Sequence, residues 1–177
     1  MRSAKIWLVI GTRPEAIKLS PVAAALRDVG HDPLLVVTGQ HPALDLAEHG
    51  LADFAVIELG CAGETNPYSH ARNVEDKLRA KLVPRPDLLI VQGDTSSAFG
   101  AAQAAFATGV PVVHIEAGLR TYDPQLPWPE EEFRCAIESR ADLLFAPTAV
   151  AECNLASERL EGVVHVTGNS GIDALLE

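Results

Sequence analysis

At 177 residues, 47% apolar and 21% charged, the chain has the make-up of one globular domain, able to bury about 70% of the surface its unfolded form exposes. A formal charge of −10 argues against broad binding to nucleic acid or anionic membrane. Cys61, Cys135 and Cys153 are far apart and form no Cys-x-x-Cys pair, so they read as reduced thiols, without a zinc or redox motif. The apolar run from Ile6 to Ile10 is too short for a signal-peptide core, and no stretch approaches a membrane span. A cytoplasmic protein is expected.

In chain order, apolar strand-like runs fall at Lys5–Ile10, Pro33–Thr38, Ala55–Leu59, Leu88–Gln92, Val110–Ile115, Leu143–Ala146 and Val163–Thr167. Helical patterns separate most of them: Pro14–Val29, Pro42–Gly50, Tyr68–Val83, Ser96–Thr108, Glu130–Arg140 and Ala149–Leu160, several opened by Pro or a Thr, Ser or Asp cap. Such alternation implies an α/β fold, a Rossmann-like doubly wound parallel sheet of about seven strands. The Ala- and Gly-rich stretch SSAFGAAQAAFA from Ser96 reads as a helix that packs closely against its neighbours.

In a parallel sheet the C-terminal strand ends share one edge, where ligands collect. The unusual polar groups gather at those ends: Thr12, Arg13, Glu15 and Lys18, then Gln40 and His41, then Asp94, then Glu116 and the loop to Arg134. In GTRPEAIK, Gly11 suits a tight turn and Pro14 the first helical position, and the free backbone N–H groups there favour an anion. Arg13 and Lys18 add positive charge, although both could be solvated helix charges. Because Gly11 stands alone and no Gly-Lys-Ser/Thr follows, the turn is neither a dinucleotide fingerprint nor a Walker P-loop.

For Asp94, capping the next helix competes with chemistry. An extended backbone over His114-Ile115-Glu116 would aim both polar side chains to one face, where they could share a substrate or, less favourably, a metal. Stabilising a helix start competes with catalysis for Glu131 and Glu132, which follow Pro129, and Trp128 reads as loop packing. Asp94, Glu116 and Glu130 thus have a route to one cleft shared with Arg13 and Lys18, an arrangement suited to acid–base chemistry beside a phosphate leaving group.

The ordered motifs GTRPEAIKLSPV, QGDTSS, HIEAGLRT, PWPEE, FAPT and TGNSGIDAL resemble the non-hydrolysing UDP-N-acetylglucosamine 2-epimerase family across almost the whole chain. The resemblance implies the N-terminal half of a GT-B fold: residues 1–177 as one Rossmann-like domain, without the C-terminal domain that supplies most of the UDP pocket. It implies interconversion of UDP-N-acetylglucosamine and UDP-N-acetylmannosamine through loss and re-addition of UDP, with no cofactor and no metal. By motif, Asp94, Glu116 and Glu130 match functional carboxylates, and Arg13, Lys18, His114 and Arg134 match substrate-binding positions. Gln40 and His41, joined by Arg72, match a regulatory UDP-sugar segment, although Pro42 stands where Arg often follows. Phe133 likewise replaces a common Asn.

The implied partners are UDP-N-acetylglucosamine or UDP and the second domain, with a homodimer in the full-length form and no nucleic acid or membrane. Such a half is expected to act only when joined to the other. Two further readings stay open: a hydrolysing relative that releases free N-acetylmannosamine, and a non-catalytic Rossmann-like binding module.

Overall fold

Seven short runs form seven strands, and the central ones, four or five β-branched and aliphatic residues long, are buried on both faces as in a covered parallel sheet. In the computed structural model, which describes residues 3–176, the elements are β1 Ile6–Ile10, α1 Arg13–Asp28, β2 Leu34–Val37, β3 Val56–Glu58, α2 Pro67–Lys81, β4 Leu88–Gln92 and α3 Ser96–Thr108. They continue as β5 Val112–Ile115, α4 Glu130–Glu138, β6 Leu143–Ala146, α5 Ala149–Glu158, β7 Val163–Val166 and α6 Ser170–Leu176. All strand pairs are parallel, in the order β3-β2-β1-β4-β5-β6-β7. This is the doubly wound arrangement expected from the alternation of elements. The strand order reverses direction between β1 and β4.

Strand periodicity sorts the core into two layers. Ile6, Leu8 and Ile10 face Leu19 and Ala23 of α1, whereas Trp7 and Val9 face the layer that holds Val74 and Leu78 of α2 and the alanines of α3.

The expected helix over 42–50 is not formed; only a single 3₁₀ turn, Ala47–His49, appears. Local bonds hold the backbone elsewhere. The His41 N–H donates to the Gly11 carbonyl at 3.0 Å, and the Asp45 carboxylate accepts from the Ala47 N–H at 2.9 Å, a side-chain turn that competes with helix. Gly50 then ends the turn in the left-handed region. The short terminal helix α6, which periodicity alone does not announce, packs against α1.

The Ala- and Gly-rich helix α3 packs as expected. A Cβ placed on Gly100 would lie 2.2 Å from the Ala71 carbonyl oxygen of α2, so the two helices meet backbone to backbone. Gly100→Ala is therefore expected to destabilise the protein by about 1–3 kcal/mol, because the obstructing atom is main chain and cannot rotate away. Urea denaturation of the two proteins measures this, and equal midpoints would contradict the packing.

Candidate active site

The β1–α1 turn brings Gly11 against α3: a Cβ there would sit 2.0 Å from Ser97 Oγ. Glycine is required by this close approach; Gly11 is not among the left-handed residues. The N–H groups expected to receive an anion already have one. Glu15 Oε2 accepts from the Gly11 N–H at 2.8 Å and the Thr12 N–H at 2.6 Å, while Oε1 accepts from Thr95 Oγ1 at 2.6 Å. Glu15 thus occupies the N-terminus of α1 and ties the β1 turn to the β4 turn. Burial raises its carboxyl above the ordinary value, and the hydrogen bonds from Thr95, Gly11 and Thr12 only partly offset this.

Above Glu15 a cavity of about 360 Å³ opens at the switch point between β1 and β4, lined by Lys18, His41, Gln92, Asp94, Thr95 and Glu116 among others. A larger groove of about 460 Å³ lies between α1 and α6, but its walls are mostly apolar, with Val22, Leu26 and Phe145. The side chains able to do chemistry line the smaller one.

Glu116 is reached from two elements. Its Oε2 accepts from Lys18 Nζ of α1 at 2.5 Å and from Gln92 Nε2 of β4 at 2.5 Å. The Glu116 backbone is left-handed at φ +68°, a costly state for a residue with a Cβ that is found disproportionately at functional sites. This break in the strand corrects the expectation that His114 and Glu116 share a face. His114 is still within β5 and points inward with no exposed side-chain surface, Nε2 lying 2.7 Å from the Gly93 carbonyl oxygen and Nδ1 3.3 Å from Glu138 Oε1. As placed, His114 is buried and does not line the cavity.

Asp94 does not cap α3; Thr95 does, its hydroxyl accepting from the Ala98 N–H at 3.0 Å. Asp94 instead pairs with the Arg134 guanidinium of α4. Burial pushes the Asp94 carboxyl up, Arg134 pulls it partly back, and Glu130 and Glu116 push it up again, leaving it above the ordinary range. Glu130 therefore lies within electrostatic reach of Asp94, and one of its carboxylate oxygens is buried without a hydrogen-bond partner.

Glu131 does more than favour a helix start: Oε1 accepts from the Thr121 and Tyr122 N–H groups, each at 3.0 Å, and so holds the loop after β5. Glu132 accepts from Tyr68 at 2.6 Å, and Trp128 packs near Tyr68 with ring centroids 6.0 Å apart.

The remaining expected residues are dispersed. Arg13 does not line the cavity; its exposed guanidinium lies 3.7 Å from Glu48. Gln40 turns inward and accepts from Ser97 at 2.7 Å, His41 lines the cavity rim, and Arg72 is exposed on α2. Sequence reasoning left Glu15, Gln92, Arg120 and Glu138 without roles. Glu138 could have been found from spacing, since Glu130, Arg134 and Glu138 recur every four residues on one face of α4. Among the described residues no cluster of three or more His, Cys, Asp or Glu side chains is placed to hold a metal, and no helix is long and apolar enough to cross a membrane.

Fold and site together define a Rossmann-like α/β domain whose polar cleft, rich in ion-paired carboxylates, sits at the topological switch point. The family model for UDP-N-acetylglucosamine 2-epimerase matches residues 24–177, and the chain belongs to that family. It is 36% identical over 181 residues to the UDP-N-acetylglucosamine 2-epimerase of Neisseria meningitidis, covering 97% of this chain and 48% of that protein. A crystal structure of the Neisseria meningitidis enzyme bound to UDP-GlcNAc superposes with a TM-score of 0.87 at 39% identity, over 97% of this chain and 48% of that one. The Methanocaldococcus jannaschii enzyme in complex with UDP-GlcNAc and UDP gives 0.89 at 34% identity, over the same shares. The chain thus spans about half the length of the relatives it matches.

Glu15 generates a pH prediction. Its folded-state pKa is raised, so its contribution to stability is fully present below the ordinary value of 4.5 and is lost as pH rises through the folded value. The stability of wild type relative to Glu15→Gln should therefore fall as pH rises above the ordinary value of 4.5. Denaturant titrations of both proteins across that rise measure it, and parallel curves would refute the assignment.

Proposed function

We propose that this chain forms the acid–base wall of an enzyme that interconverts UDP-N-acetylglucosamine and UDP-N-acetylmannosamine. The observation that carries this reading is the convergence of Asp94 and Glu116 with Lys18 on one cleft at the β1–β4 switch point, with Glu130 within electrostatic reach of Asp94. The relatives with UDP-GlcNAc or UDP in their structures support the substrate class.

The chemistry asks for what the cleft offers. A carboxylate removes the proton at carbon two of the sugar, the bond from carbon one to the diphosphate oxygen breaks, and its electron pair leaves with UDP. The resulting 2-acetamidoglucal then takes UDP back at carbon one and a proton at carbon two on the opposite face. A carboxyl with a raised pKa, such as Asp94, is better suited to giving and taking a proton than a freely solvated one. Lys18, held against Glu116, is the cation this reading assigns to the charge that develops on the departing diphosphate. Nothing in this sequence of steps calls for a nicotinamide or a metal. Cytoplasmic residence and a homodimer of the full-length protein complete the reading on the family resemblance.

In the full-length protein, Asp94→Asn, Glu116→Gln and Glu130→Gln are each expected to lower kcat by about 100-fold or more, since a positioned acid or base contributes on that order. Wild type in deuterated water should place deuterium at carbon two of both epimers, read by mass spectrometry. Wild-type turnover in all three variants would sink the site assignment, and accumulation of free N-acetylmannosamine would turn the reading towards hydrolysis. The 177-residue chain alone is expected to bind UDP-N-acetylglucosamine more weakly than micromolar by calorimetry, because it contributes one wall of the cleft.

A further inference from the structure

Behind the cleft lies a buried ionic cluster that the proposed chemistry does not use. Glu138, on the last turn of α4, has no exposed side-chain surface. Its Oε2 lies 2.5 Å from the Arg120 guanidinium, and its Oε1 accepts from the Gly118 N–H at 2.8 Å and lies 3.3 Å from His114 Nδ1. Arg120 in turn donates to Glu158 of α5 at 2.6 Å. Burial acts to raise the Glu138 carboxyl, but the hydrogen bonds and charges of His114 and Arg120 outweigh it and hold the group below the ordinary carboxylate range.

Stability alone is a poor reason for such a cluster. Withdrawing charges from water costs several kcal/mol per ion, and well-packed apolar side chains of similar volume commonly do as well or better. What the cluster does have is reach. His114 Nε2 lies 2.7 Å from the Gly93 carbonyl oxygen; a carbonyl only accepts, so this nitrogen carries the proton and donates it. Gly93 is left-handed at φ +68° and immediately precedes Asp94. Gly118, held by Glu138, is left-handed at φ +87° and follows Glu116 by two residues. The turn after Glu116 is therefore bonded to Glu138 directly, and the Gly93–Asp94 turn is linked to it through His114, whose other ring nitrogen lies 3.3 Å from the same carboxylate. The same helix carries Glu130 and Arg134, the latter paired with Asp94.

We propose that Glu138 is a positioning residue for the cleft, acting through His114 on the Gly93–Asp94 turn and through Gly118 on the loop that follows Glu116. It touches no substrate. This inference rests on the epimerase reading for its kinetic consequence, but its structural consequence stands apart from it.

The test uses Glu138→Gln, His114→Gln and His114→Ala in the full-length protein, with steady-state kinetics on UDP-N-acetylglucosamine and amide hydrogen exchange on each. Glu138→Gln should lower kcat by about 10- to 100-fold with KM unchanged, the pattern of misplaced reacting groups. The amides of Asp94 and Thr95 should exchange faster, while those of Leu89 to Val91 keep wild-type rates. His114→Gln, whose amide can donate towards the Gly93 carbonyl, should retain more kcat than His114→Ala. Wild-type kcat with wild-type exchange in Glu138→Gln would overturn the proposal. If Glu138→Gln does not fold, equal kcat in the two His114 variants would overturn it. A wild-type protein that performs no epimerisation would defeat the functional reading alone, and exchange at Asp94 and Thr95 would still decide the role of Glu138.

Discussion

Every feature of the cleft depends on the strands being parallel. When all seven run the same way, each C-terminal end opens on one edge, and residues remote in the chain become neighbours there. Lys18 and Glu116 are 98 positions apart yet meet at 2.5 Å. The reversal of strand order between β1 and β4 adds the second requirement. Right-handed crossovers send α1 to one face of the sheet and α3 to the other, so the helices diverge above these two strands and leave a gap. Glu15 and Lys18 enter this gap from α1, Thr95 from the start of α3, and Glu116 from the end of β5.

Charge is distributed within that frame by pairing. The protein is strongly acidic as a whole, but at the cleft the carboxylates meet specific cations: Glu116 with Lys18, and Asp94 with Arg134. Pairing and burial act in opposite directions on a carboxyl, and the balance differs from group to group. In Glu138 the cations win; in Asp94 burial and the neighbouring carboxylates win. The two acidic side chains are thereby biased in opposite directions. Asp94, in the cleft, is biased towards holding a proton, while Glu138, behind it, is biased towards staying ionised.

The parts of the fold written in local pattern were legible in the sequence. Each strand is a short apolar run, and the long helices α1, α2 and α3 carry caps and periodic apolar residues, so their positions agree with the expected ones to within two residues. The segment over 42–50 was misleading because its composition suits a helix while Asp45 offers the backbone a competing bond. At the site, Asp94, Glu116 and Lys18 were accessible because position at a strand end is enough to bring them to the edge. Arg13 and His114 were not, because adjacency in a motif does not say which way a side chain turns. Glu15 was passed over for a related reason: a carboxylate beside a helix N-terminus can be its own anion, and only the hydrogen bonds to Gly11, Thr12 and Thr95 reveal that it is.

The contrast between His114 and Glu116 shows how one backbone angle divides these roles. Had β5 continued in extended form, the two side chains would project to the same face, and the strand end would offer either a buried anchor or an exposed carboxylate. The positive φ at Glu116 ends the pleat after Ile115, so His114 stays beneath the sheet edge against Gly93 while Glu116 rises into the cavity against Lys18. A left-handed residue with a Cβ costs on the order of 1–3 kcal/mol and persists only where its surroundings over-determine it. Here they do so from both sides: Gln92 and Lys18 hold the Glu116 carboxylate, and Glu138 holds Gly118 just beyond it. The strained turn and the buried ionic cluster are in this sense one device, the second maintaining the geometry that the first makes available to the cleft.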